Sequence, residues 1–233
     1  MRVMLATDAG TPGWPNEDFA ATAPGAAVLL DGATTLPRGA PTGCLHGVAW
    51  YARTLGSALL AEILADPPAP LPRALAAAIT TVRGLHEHTC DLDDPATPAA
   101  TVTAARSAPD SIDYLAVSDS SIVADYGDAR PPLIITGTSP PASTSPGVAQ
   151  HARTGTLTRR GLRGTALLSD GATRITDLYG ILSWPATLAV IRDHGPAELI
   201  RQVRAAEDAD PDCARWPRTK TRDDATIIYW AQG

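Results

Sequence analysis

Short apolar runs, each bordered by carboxylates, constrain this chain more than any other feature. Residues 26–30 run straight into Asp31-Gly32, and residues 166–168 lead through Ser169 into Asp170-Gly171. Asn16-Glu17-Asp18 stands directly before residues 19–23, and Asp223-Asp224 directly before residues 225–230. Apolar runs of this length between Pro, Gly, Ser and Asp clusters read as strands joined by turns. Acids at the ends of strands far apart in sequence suit an oxygen-rich site assembled where those ends meet. Hard divalent cations such as Mg²⁺ and Mn²⁺ take oxygen ligands, and no single loop need supply them all.

The remaining segments fill in the layout. Residues 2–7 read as a first strand. From 44 to 65 the apolar positions recur at three- and four-residue spacing, which predicts a helix with one buried face, and residues 71–88 repeat the pattern after a proline-rich break. Residues 101–105, 112–117, 122–126 and 133–135 return to strand character, with connections short enough for an antiparallel meander. Residues 137–147 read as a loop, and helices are expected near 185–192 and 196–206 before the closing strand. Two strand groups that must each cover apolar faces predict an α+β fold: an α-β-β-α sandwich of two antiparallel sheets flanked by helices. At 233 residues, a single domain spanning 1–233 is expected.

Composition narrows the function. The formal charge of -6 argues against nucleic-acid binding, which favours a basic surface. The longest apolar segment, 45–65, carries His46, Arg53 and Glu62 and makes a poor membrane span, so no membrane partner is expected. The opening apolar stretch is too short for a signal peptide, and a cytoplasmic location is expected. Cys44, Cys90 and Cys213 show no Cys-x-x-Cys spacing, so neither a disulfide framework nor a zinc site is expected. His86 and His88, two apart, read as surface residues. Lys220 is the only lysine, a bias that fits a GC-rich bacterial genome. Neither a Walker-type phosphate loop nor a Cys-x₅-Arg nucleophile pattern is present.

Taken singly, Asp-Gly is a common turn dipeptide; the order of the acidic segments is more specific. Asp8-Ala-Gly10, Asn16-Glu17-Asp18, Asp31-Gly32, Ser118-Asp119-Ser120, Ser169-Asp170-Gly171 and Asp223-Asp224-Ala225-Thr226 form a series across nearly the whole chain. This series resembles the metal-dependent protein phosphatases, the type 2C serine/threonine phosphatases. The resemblance implies an α-β-β-α sandwich with two Mg²⁺ or Mn²⁺ ions in a cleft between the sheets and water as the nucleophile. It implies that Asp31 bridges both metals and that Asp170 and Asp223 complete one site. Gly32 offers its carbonyl to the other, Glu17 binds through water, and Asp18 orients the shell. A phosphorylated protein would be the substrate.

The departures from the family pattern are specific. Ser118 replaces the glycine of the central motif, and Asp224 an asparagine. Ala33-Thr34-Thr35 stands where the family has Gly-Gly. No arginine lies between Val3 and Asn16 to grip the phosphate; the corresponding position is near Gly13. Arg174 stands where an aspartate would help hold a third metal, which puts that metal in doubt and leaves Asp119 without its partner unless Asp177 substitutes. Two replacements are open. His46 either protonates the leaving oxygen or makes a structural hydrogen bond at a helix start. The run Arg215, Arg218, Lys220, Arg222 either supplies a phosphate clamp, with Arg218 or Arg222 as its guanidinium, or is a solvated loop balanced by Asp208, Asp210 and Asp212. The chemistry leaves three readings: a phosphoprotein phosphatase, a pseudophosphatase that binds a phosphorylated partner, and a phosphatase of a small phosphorylated metabolite. The sequence does not determine the oligomeric state.

Overall fold

A computed structural model describes residues 2–33 and 43–232. In chain order the elements are β1 (Arg2–Asp8), β2 (Phe19–Ala23), β3 (Ala26–Ala33), α1 (Val48–Ala65), α2 (Leu71–His86), β4 (Ala99–Ser107), β5 (Ser111–Val117), β6 (Ser121–Asp125), β7 (Leu133–Ile135), β8 (Arg153–Thr158), β9 (Gly164–Leu168), α3 (Asp170–Asp177), α4 (Trp184–His194), α5 (Pro196–Asp208) and β10 (Ala225–Ala231). They form two five-stranded sheets, ordered β1-β10-β9-β6-β7 and β2-β3-β4-β5-β8, and the strand pairs are antiparallel.

Side-chain alternation explains why the strands read as continuous apolar runs. In β3, Val28 and Leu30 pack with Leu55 and Leu59 of α1 and with Leu75 and Ile79 of α2. Their neighbours Ala27 and Leu29 pack instead with Leu167, Ile228 and Trp230 of the opposite sheet. β10 does the same: Ile227 and Tyr229 meet Leu199 and Val203 of α5, while Ile228 and Trp230 fill the space between the sheets. Successive strand residues face opposite sides, so a strand buried on both faces has no polar alternation. The result is the expected α-β-β-α sandwich.

The middle strands are not one meander. β4 and β5 belong to one sheet, β6 and β7 to the other. The chain crosses at Ser118, which lies in the left-handed region (φ 64°) and turns it from β5 to β6 within three residues. Strand β8, which the apolar pattern missed, is an edge strand of sequence RTGTLT in which Leu157 alone is buried. Helix α3 was missed because it opens on Asp-Gly. The first helix starts at Val48 rather than residue 44, and the second stops at His86 rather than 88. Among the described residues, no helix is long and apolar enough to cross a membrane.

Candidate metal-binding cleft

The acidic segments meet at one end of the sandwich. Asp31 continues the inward-facing series of Ala27 and Leu29 near the end of β3 and pairs in register with Thr101 of β4. Asp170 opens α3 just beyond β9, Glu17 and Asp18 precede β2, and Asp223 and Asp224 precede β10. Glu17, Asp31, Asp119, Asp170, Asp223 and Lys220 line a cleft of 230 Å³, with Gly32 in its wall.

Glycines let these segments press together. A Cβ on Gly32 would lie 2.3 Å from Val48 Cγ1 and 2.7 Å from the Glu17 carbonyl oxygen; one on Gly171 would lie 2.0 Å from the Asp224 carbonyl oxygen. Neither glycine has positive φ. The two Asp-Gly pairs are therefore not turns: one lies in a strand and one in a helix, and each glycine is required for close backbone approach. Asp224 completes the assembly from below, accepting the Gly10 and Glu17 backbone N–H groups at 2.7 Å each.

Crowded carboxylates raise one another's proton affinity. Burial, then repulsion from Asp18, Asp170 and Asp223, pushes the Asp31 carboxyl well above its ordinary range. Asp170 is raised by burial and by Asp223. Burial also pushes Asp18 up to about 7, with the Thr226 and Ser169 hydroxyls tempering the rise. Both Asp18 carboxylate oxygens are buried, and neither makes a hydrogen bond of good geometry even to those hydroxyls. An all-oxygen donor set with unpartnered buried oxygens and an excess of negative charge fits hard divalent cations.

Other candidates lie elsewhere. Arg218 is buried against Asp210 (2.6 Å) and also donates to the Trp216 and Thr221 carbonyls, and Arg222 pairs with Asp208. Neither lines the cleft, so the solvated-loop alternative fits Arg222, while Arg218 organises its own loop. Among the described residues, the cation that lines the cleft is Lys220, 2.9 Å from Asp223. Lys220 stands three residues before Asp223, within the same basic run as Arg218 and Arg222, and its ammonium rather than a guanidinium reaches the cleft. Arg174 does more than replace an aspartate: it turns toward Asp223 at 2.7 Å and toward buried Glu207 at 3.4 Å. Asp177 is exposed at the end of α3 and does not line the cleft. Asp119 lines it, is exposed, and accepts a bond from the Ser118 hydroxyl at 3.3 Å. Thr34 and Thr35 lie outside the described residues. His46 does not line the cleft; it stands with Cys44, His86 and Cys90. His86 is buried rather than at the surface.

No family model and no curated protein matches the sequence. Solved structures do match the fold. A variant of a bacterial serine phosphatase superimposes with a TM-score of 0.71 at 16% identity, covering 100% of this chain and 99% of that one. The serine/threonine phosphatase Stp1 of Staphylococcus aureus gives 0.67 at 15%, covering 99% and 94%. The catalytic domain of the serine threonine protein phosphatase PstP, solved with two manganese ions, gives 0.61 at 15%, covering 99% and 97%. The chain thus has the fold of the bacterial PPM-type serine/threonine phosphatases, over nearly the whole length of each.

Proposed function

We propose that this chain, as a single domain, is a Mg²⁺- or Mn²⁺-dependent phosphatase that hydrolyses phosphoserine or phosphothreonine in proteins. The observation that carries the reading is the convergence of Glu17, Asp31, Asp119, Asp170 and Asp223 on one cleft, backed by the unpartnered oxygens of Asp18. The manganese bound by PstP, which shares the fold, agrees with it. Asp31, the Gly32 carbonyl, Asp170 and Asp223 would hold two ions, with Glu17 and Asp18 completing their surroundings. The ions, when bound, polarise the phosphoryl group and acidify the attacking water. Lys220 offers the dianion a charged donor at the cleft wall. None of the three cysteines lines the cleft.

A pseudophosphatase is the second reading, favoured by one observation. Arg174 and Lys220 both pair with Asp223 and offset charge that a cation would otherwise meet. Hydrolysis of an aryl phosphate and of a phosphothreonine peptide, with Mn²⁺ and after its removal, separates the readings. Mn²⁺-dependent turnover of both substrates, lost in Asp31→Asn and Asp170→Asn, supports the phosphatase. The loss in each variant should exceed the roughly 10–100-fold typical of a residue that only supports a metal ligand. Mn²⁺ binding without turnover supports the pseudophosphatase, and turnover of the aryl phosphate alone points to a metabolite substrate. Unchanged turnover in both variants overturns the cleft assignment.

A further inference from the structure

Four metal-ligating side chains gather at a second place, where the segment leading into α1 meets the end of α2. Cys44 and His46 precede α1, His86 is the last residue of α2, and Cys90 follows four residues later. Their ligand atoms all lie within 4.8 Å of one another. His46 Nδ1 stands 3.8 Å from Cys44 Sγ and 3.4 Å from Cys90 Sγ, and His86 Nδ1 stands 3.5 Å from Cys44 Sγ. Around a tetrahedral zinc, with Zn–S about 2.3 Å and Zn–N about 2.0–2.1 Å, neighbouring sulfur and nitrogen atoms are about 3.5 Å apart. The observed separations bracket that value.

We propose that Cys44, His46, His86 and Cys90 form a structural Cys₂His₂ zinc site that pins the start of α1 to the end of α2. Nitrogen and thiolate ligands select zinc over Mg²⁺ or Mn²⁺, so the chain carries two sites of opposite chemical preference. Two thiolates neutralise the dication, which suits a site where Cys44 and His86 are buried. The Leu45 amide donates to Cys90 Sγ at 3.2 Å and the His46 amide to Cys44 Sγ at 3.4 Å, and such donors stabilise thiolates. The His46 ring stacks on Trp50 with centroids 3.9 Å apart, and His86 packs edge-on to it, which fixes both imidazoles. The buried His86 Nδ1 meets only the Cys44 sulfur, a weak partner for an imidazole nitrogen and a natural neighbour around a shared metal. Backbone bonds already join the two segments, from the Asp91 amide to the Gly43 carbonyl at 2.8 Å and from the Gly43 amide to Asp94 at 2.6 Å. The spacing Cys-x-His and His-x₃-Cys escapes a search for cysteine pairs, because each half offers one thiol.

The test is zinc stoichiometry of the full chain by elemental analysis, for wild type, Cys44→Ser, Cys90→Ser and Asp31→Asn. One zinc per chain is expected in wild type and Asp31→Asn, and loss of stoichiometric zinc in each cysteine variant. To keep a folding defect in those variants from passing for zinc loss, the wild-type chain is also stripped and titrated with Co²⁺. Tetrahedral d–d bands with a thiolate charge-transfer band support the site. Cys44 and Cys90 should resist alkylation until a chelator is added, while Cys213 reacts throughout. Wild type without zinc and without tetrahedral cobalt bands overturns the proposal. So does protection of Cys44 and Cys90 that a thiol reductant relieves and a chelator does not, since that marks a disulfide.

Discussion

Asp224 accepts two backbone amides from the β1–β2 connection, whereas Asp223 faces the cleft between Arg174 and Lys220. The same chemical change should therefore read out differently at these neighbours. Asp223→Asn is expected to weaken Mn²⁺ binding and turnover with little effect on the urea midpoint. Asp224→Asn keeps one acceptor and turns an amide N–H toward another, which should cost about 1–3 kcal/mol of stability while sparing more of the activity. Urea unfolding and Mn²⁺ calorimetry on both variants check this, and the reverse pattern would shift the register of the site by one residue. At the cleft wall, Lys220→Ala should raise KM for phosphopeptide roughly tenfold, the lower end for a charged donor because its half-exposed charge is screened. Arg218→Ala should instead leave KM unchanged and lower the urea midpoint, because it removes the charged partner of Asp210, whose carboxyl is held down to about 2 mainly by the Arg215 amide and then by Arg218, and the donor to the Trp216 and Thr221 carbonyls. Equal KM for wild type and Lys220→Ala would leave the phosphate to the metals alone. The acids themselves were legible because each sits at the edge of an apolar run. Their cationic partners were not: pairing Arg174 with Asp223, or choosing Lys220 over Arg218, depends on how the loop before β10 folds against α3.

The Asp-Gly segments tie elements together by contact rather than by bending the chain. Gly171 lies in the first turn of α3, where alanine would ordinarily add about 0.8–1 kcal/mol of helix stability over glycine. Here the added methyl would stand 2.0 Å from the Asp224 carbonyl oxygen, a backbone atom that cannot swing aside. Gly171→Ala should therefore destabilise despite the better propensity, by about 1–3 kcal/mol or more, and should weaken Mn²⁺ binding by pushing α3 away from the start of β10. Urea unfolding with and without Mn²⁺ measures both effects; a raised midpoint would mean that α3 is free to shift. Most elements were legible because their apolar spacing is set by the two faces of a buried strand or the single face of a helix. β8 escaped because an edge strand buries little, and α3 because it begins on a dipeptide more often found in turns. The division of the middle strands between two sheets rests on one left-handed residue, Ser118, which apolar periodicity does not report.

At the scale of the whole molecule, the two-sheet architecture was legible because strands apolar on both faces require a covering layer on each side. The cost of bringing their acidic ends together was not, since it depends on distances between segments up to about two hundred residues apart. That cost has a measurable sign. In the Mn²⁺-free chain, burial and mutual repulsion raise Asp31 and Asp170, and burial lifts Asp18 to about 7. The folded state thus retains protons that the unfolded chain has lost above about pH 4. Stability should fall as pH rises from about 4 to about 7, because the folded state binds more protons across that interval. Mn²⁺ bound as proposed would displace those protons and neutralise the carboxylates, so its stabilisation should grow over the same interval, reaching about 2.7 kcal/mol per site at a hundredfold excess over Kd. Urea midpoints at about pH 5 and about pH 7.5, with and without Mn²⁺ and with zinc left in place, make the comparison. The expected result is a midpoint that drops with pH in the Mn²⁺-free chain and a drop that Mn²⁺ abolishes. A Mn²⁺-free midpoint that holds or rises would mean that Arg174 and Lys220 already balance the cleft, which is the electrostatics of a pseudophosphatase.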